Sequence, residues 1–170
     1  MSLGQVIKEV RKARGLSQTD LGIPYGQSMI GRIERDERRV APDIAPILVD
    51  KLDHPAVSIT AMHEMTGGVG PVYLNGDNVD LHRSSVRERC LHEMSESMDA
   101  IQRFHTSKPP ERETERERNQ RKEHLLEVLD SIVHEYMYVA VQCEEYGFSF
   151  KELHNAHYAK LRSLRLVQEH

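Results

Sequence analysis

Residues 16–38 read LSQTDLGIPYGQSMIGRIERDER. Ser17 can cap a short helix running through Leu21 and Ile23, and Pro24 must stop it because proline disfavours helical geometry in the residue before it. A second helix fits residues 27–35, with Ile30 and Ile33 facing inward. The same pattern extends outward on both sides. Leu3, Val6, Ile7 and Val10 recur at helical spacing behind a Ser2/Gln5 capping box, and Gly15 ends that helix. Downstream, Asp43 can cap a helix with Pro46 in its first turn, and Pro55 opens another through Ile59, Met62 and Met65 that Gly67-Gly68 ends. Five short helices thus predict a small helical domain over residues 1–66.

Residues 67–83 carry four Gly, one Pro and the dipeptide Asn75-Gly76, so they predict a linker with a tiny hairpin. Ser85 and Glu88 match a capping box, and Val86, Cys90, Met94, Met98 and Ile101 are expected on the inner face of the helix that follows. Pro109-Pro110 break it. Residues 111–146 lack Gly and Pro, and Leu125, Leu129, Ile132, Val133, Tyr136, Ala140 and Cys143 repeat at three and four, which predicts one long helix. Its evenly charged start, PERETERERNQRKE, reads as a solvated extension laced with ion pairs. Gly147 sits where a left-handed cap belongs. Ser149/Glu152 form a capping box, Phe148/Leu153 a hydrophobic staple, and Leu153, Ala156, Leu161, Leu164 and Val167 are the expected inner face of a last helix. The fold class is all-α, with a helical bundle over residues 84–170 serving dimerisation or ligand sensing.

Composition agrees. The 170 residues are 38% hydrophobic, with no Trp, three Phe and six Tyr, which suits narrow seams between helices better than a sandwich core. The net charge of −4 hides an asymmetry: residues 1–40 carry eight Lys and Arg against five Asp and Glu, whereas residues 41–170 carry 15 against 22. A local basic surface is what a phosphate backbone feels. No apolar run reaches membrane-span length and the first residues lack a signal peptide's apolar stretch, so a cytoplasmic protein is expected. Cys90 and Cys143, far apart and outside any CxxC, argue for reduced buried thiols over a disulfide framework or a zinc cage.

LSQTDLG followed by IGRIERDER resembles the Cro-type, or XRE, helix-turn-helix family of transcriptional regulators. The resemblance covers about the first 66 residues. It implies a repressor of phage or mobile-element type that binds an inverted-repeat operator in double-stranded DNA as a homodimer. By position in the motif, Gln27 and Ser28 would read base edges in the major groove, with Arg32 one turn further on. Gln18 would brace a phosphate and the recognition helix, and Lys8, Arg11, Arg14, Arg35, Arg38 and Arg39 would contact the DNA backbone. The turn is about two residues shorter than usual in the family; Tyr25 is expected to take the buried turn position and Gly26 the N-cap.

In the second half, Glu93 and Glu96 are spaced i, i+3 on one helix, and Glu127 and Asp130 repeat that spacing on the next. Two such pairs on packed antiparallel helices can gather four carboxylates around Mg²⁺. HEMSESMDAI, EHLLEVLDSI and the tail YGFSFKELHNAHYAKLRSL are similar to the MazG-like all-α nucleotide pyrophosphohydrolases, which implies a metal-dependent enzyme with a DNA-binding head as the alternative function, or a nucleotide-sensing remnant of one. Against catalysis, His92 stands where that family has its first Glu, and Glu127 falls opposite its helix's apolar stripe. The expected reading is therefore a regulator without enzymatic activity, with no cofactor unless Mg²⁺, and with a nucleotide or a protein as effector. Glu96 occupies the place of the second histidine of HExxH, which argues against a zincin. The His154/His157 pair reads as polar helix surface.

Overall fold

The computed structural model describes residues 1–24, 26–104 and 108–168, so Tyr25 lies outside the described residues. Its regular structure is helical: α1 Leu3–Ala13, α2 Gln27–Glu34, α3 Ala45–Leu52, α4 Pro55–Met65, α5 Arg83–Arg103, α6 Glu115–Tyr146 and α7 Phe150–Ser163, with 3₁₀ turns at Thr19–Leu21 and Pro110–Arg112. No strand forms among the described residues; where a hairpin was expected, Val79 N–H donates to the Gly76 carbonyl in a simple turn. None of the helices is long and apolar enough to cross a membrane, among the described residues.

Two compact units divide the chain, residues 1–73 with 142–170, and residues 74–141. The division falls at 73/74 and again at 141/142, and residues 142–170 group with residues 1–73.

In the first unit α1 packs against α2, α3 and α4. Leu3, Val6, Ile7, Ile30, Ile33, Leu48, Leu52 and Val57 make the core, each no more than 3% exposed. The Ser2/Gln5 capping box is formed. Gly4 makes the α1–α2 crossing close: a Cβ there would stand 2.1 Å from the Ile33 carbonyl oxygen. The helix expected after Ser17 is only a 3₁₀ turn, Thr19–Leu21, because Gly22 turns left-handed at φ 64° and Pro24 follows. Ser17 and Asp20 still cap it reciprocally, the Ser17 N–H donating to the Asp20 carboxylate at 2.7 Å and the Asp20 N–H to Ser17 Oγ at 3.3 Å. Residue Ile44, not Asp43, stands at the N-cap of α3. Pro55 opens α4 as expected, with His54 Nδ1 accepting from the Ala56 N–H. Gly147, at φ 69°, ends α6 and Ser149 caps α7. Phe150 is buried, but Leu153, Ala156 and Leu164 are exposed, which corrects the expected inner face of that helix. Lys151 binds Asp50 through Nζ and Asp53 through its backbone N–H.

In the second unit α5 starts two residues before the expected capping box; His82 Nδ1 accepts from the Ser84 N–H, and Ser85 donates to Asp80 instead. It ends at Arg103, ahead of the two prolines. The first turn of α6 carries a capping box in which Thr114 and Glu117 exchange bonds. The helices run antiparallel: Phe104 meets the His124 ring edge-on at 5.2 Å, while Val86, Arg89, His134 and Met137 line one cavity of about 450 Å³ with the 74–81 segment. Arg121 stacks on Phe104 at 3.8 Å. Buried on α5 are Val86, Cys90, Glu93, Ser97 and Ala100, whereas Met94, Met98 and Ile101 face solvent, contrary to the expected inner stripe. Leu125, Leu129 and Ile132 are likewise exposed on α6, and Met137 and Ala140 are buried.

Candidate nucleic-acid interface

Helix α2 buries Ile30, Gly31, Ile33 and Glu34 and rests Met29 against the core, which turns its first-turn residues Gln27 and Ser28, and Arg32 beyond them, to solvent. Gly26 takes the N-cap at φ 76° without a side-chain bond, so the first N–H groups of α2 keep no side-chain cap. All three expected base readers are therefore exposed; Ser28 and Arg32 lie one turn apart on the outer face, whereas Gln27 is open as the first residue of the helix, one turn before buried Gly31.

What fixes α2 is an ion pair that the sequence reading did not contain. Arg11 Nε donates to Glu34 Oε1 at 2.5 Å and Nη2 to Oε2 at 2.9 Å; Nη1 donates to the Leu16 carbonyl at 2.7 Å. Gln18 Nε2 adds a bond to Glu34 Oε2 at 2.8 Å and so braces α2. Burial pushes the Glu34 carboxyl up, but the Arg11 and Gln18 hydrogen bonds and the Arg11 charge outweigh it and hold it below the ordinary carboxylate range. Arg11 is 8% exposed, so the expected backbone contact is corrected to an internal strut. The signal was legible in principle: Arg11 continues the Leu3–Ile7 row at i+4 and Glu34 continues from Ile30 in the same way, placing two opposite charges on apolar stripes.

The other basic residues are available in varying degree. Arg14, Arg38 and Arg39 are exposed, and Lys8 is half-buried. Arg14 Nη2 donates to the Asp53 carbonyl at 3.3 Å. Arg35 is exposed but forked onto Glu37 at 2.7 and 3.0 Å, so a phosphate would have to compete with a carboxylate. Arg38 and Arg39 line an open cavity of about 700 Å³ that Asp36 and Glu64 also line.

The four carboxylates proposed for Mg²⁺ are not gathered into one group. His92, Glu93 and Glu96 bring ligand atoms within 4.8 Å of one another, the one such trio among the described residues, whereas Glu127 and Asp130 are exposed and outside it. Glu93 is buried and already bound by Arg89 at 2.6 Å, and Glu96 sits 3.2 Å from His92 Nδ1. A cation entering there would have to displace the Arg89 guanidinium. His154 Nδ1 is taken by the Phe150 carbonyl.

Compared with protein-family models, curated proteins and solved structures, the chain matches none.

Proposed function

We propose that the protein is a sequence-specific DNA-binding transcriptional regulator, a repressor of the Cro-type design that binds an inverted-repeat operator as a homodimer. The observation that carries this reading is the exposure of Gln27, Ser28 and Arg32 on α2, a helix held by the buried Arg11–Glu34 pair and by Gln18, together with the exposure of Arg14, Arg38 and Arg39. Gln and Arg are the side chains that pair bidentately with adenine and guanine edges in the major groove, and the flanking arginines suit phosphates. Half-sites one helical turn apart require two copies in fixed relation.

The test is selection from a randomised duplex library followed by mobility shift on the enriched sequence. Gln27→Ala and Arg32→Ala should each weaken specific binding by about 1–3 kcal/mol, roughly 5- to 150-fold, and affinity should fall steeply with salt. No enriched sequence, or two variants that bind it like the parent protein, would overturn the reading. The convergence of His92, Glu93 and Glu96 favours a second one, a metal-dependent nucleotide pyrophosphohydrolase, which pyrophosphate release with Mg²⁺ or Mn²⁺ tests.

A further inference from the structure

Residues 74–81 close against α5 and α6 around the cavity of about 450 Å³, a size within the range of about 300–1,000 Å³ that small-molecule pockets occupy. Its lining is mainly aliphatic: Leu74, Val79 and Leu81 come from the segment, Val86 from α5 and Met137 from α6, all of them buried or half-buried. Side chains around a cavity forgo dispersion contacts that the apolar body of a ligand would supply. The Leu74 N–H belongs to the same wall and donates to the Met137 sulfur at 3.3 Å, although a thioether is a weak acceptor.

Two exposed charges of opposite sign also line the cavity, Asp80 and Arg89. Each is fixed by other groups. Asp80 accepts from Ser85 Oγ at 2.6 Å and from the His82 N–H at 2.9 Å, and these bonds hold its carboxyl below the usual carboxylate range, so it is ionised at neutral pH. Arg89 Nη2 pairs with buried Glu93 at 2.6 Å, which engages part of a guanidinium that has five N–H donors. Ser85 and Arg89 are four residues apart on α5, so the carboxylate that Ser85 holds and the guanidinium share one helix face, about one turn apart. His134, also in the lining, turns Nδ1 to the Asp130 carbonyl at 2.9 Å.

We propose that this cavity binds a free α-amino acid with an aliphatic or aromatic side chain, its ammonium on Asp80, its carboxylate on Arg89 and its side chain among Val79, Leu81, Val86 and Met137. An α-amino acid carries both charges on one carbon, which suits two opposed charges about one helix turn apart. Burial of the side chain supplies the affinity, and the charges supply the selectivity. A plain carboxylic acid would leave Asp80 unanswered, and a plain amine would leave Arg89 so. A nucleotide suits the site less, because its phosphates would meet the carboxylates of Asp80 and Glu93 with Arg89 as the cation of the lining. Every residue of the site belongs to residues 74–141, so ligand binding here is independent of whether α2 reads DNA.

Methyl-detected NMR of the full chain, with L-leucine and L-phenylalanine as probes, tests the site. Of the seven methionines, Met137 is the one that lines this cavity. Its methyl signal should shift saturably with a dissociation constant of about 1 mM or tighter for at least one probe, the other six staying in place. The Leu74 amide should move at the same concentrations. The N-acetyl and carboxamide derivatives of the better probe, which lack the ammonium and the carboxylate respectively, should each bind at least about tenfold more weakly. Asp80→Asn keeps an acceptor for Ser85 and His82 and should weaken binding by a similar factor, while Val79→Trp fills the cavity and should abolish it with helical circular dichroism unchanged. No Met137 shift at about 10 mM of either probe overturns the proposal, as do equal shifts at all seven methionines or full affinity in a folded Val79→Trp variant. Either derivative binding as tightly as the free amino acid also overturns it, and that comparison uses the unsubstituted protein, so it decides the case even if a variant unfolds.

Discussion

Glu34→Ala is the sharpest probe of the first unit. The substitution removes a carboxylate that receives bonds of 2.5 and 2.9 Å from Arg11 and 2.8 Å from Gln18. Arg11, 8% exposed, would keep only the Leu16 carbonyl at 2.7 Å. Leaving one charge of a buried pair uncompensated costs about 3–5 kcal/mol, whereas an exposed pair is worth about 1 kcal/mol or less. The loss is large beside the stability of a small domain. Removing both partners in Arg11→Met with Glu34→Leu avoids the buried charge and should bring stability back to within about 1 kcal/mol of the parent. Urea unfolding followed by circular dichroism reads all three proteins. Since the pair also holds α2, Glu34→Ala should weaken operator binding beyond what lost stability explains. The acid limb has a defined sign: the folded carboxyl lies below its ordinary 4.5, so its contribution is complete above that value and disappears as pH falls through the folded value. Glu34→Gln should flatten that limb. A Glu34→Ala loss under about 1 kcal/mol, or a double variant as unstable as the single one, would refute the strut.

Gly4→Ala should cost about 1–3 kcal/mol and re-aim α2, because the new Cβ meets the Ile33 carbonyl oxygen at 2.1 Å; unchanged unfolding and DNA affinity would contradict the crossing geometry. His54 is held neutral, with burial first and the Arg14 charge second lowering it from 6.5 to about 4 against the opposing Asp53 charge, so stability should be complete above pH 6.5 and decline as pH falls through the window down to about 4. His54→Asn keeps an N-cap acceptor for Ala56 and should remove on the order of 2 kcal/mol of that decline, while Glu144, 3.8 Å away and raised by burial, titrates with the opposite sign in both proteins. Mg²⁺ at millimolar concentration should not raise the unfolding midpoint, and nucleotides should be cleaved more slowly than about one turnover per second; release at that rate abolished by Glu93→Ala would make the enzyme reading primary.

The first unit was legible where one apolar row settles one buried face. Leu3, Val6, Ile7 and Val10 on α1, and Ile30 and Ile33 on α2, have a single seam each, and all of them are buried. The segment after Ser17 was not legible as a 3₁₀ turn, because its capping chemistry is the same for either helix type and only the left-handed Gly22 decides how soon it ends. Arg11 shows a different gap. A basic residue beside other basic residues reads as a surface contact until its partner is known, and Glu34 lies 23 residues away in sequence, beyond any local rule.

In the second unit periodicity identified the helices but could not divide two adjacent seams between two neighbours. The expected inner stripe of α5 follows the buried row through Val86 and Cys90, then crosses to the outer row at Met94 and stays there through Met98 and Ile101. It crosses because a single chain is assumed to bury its most hydrophobic residues, and the buried row continues instead through Glu93, Ser97 and Ala100. That assumption holds for a complete folding unit. The α5–α6 pair instead hides Cys, Glu, Ser and Ala while exposing Leu, Met and Ile, so apolar residues at helical spacing located these helices without locating their buried faces.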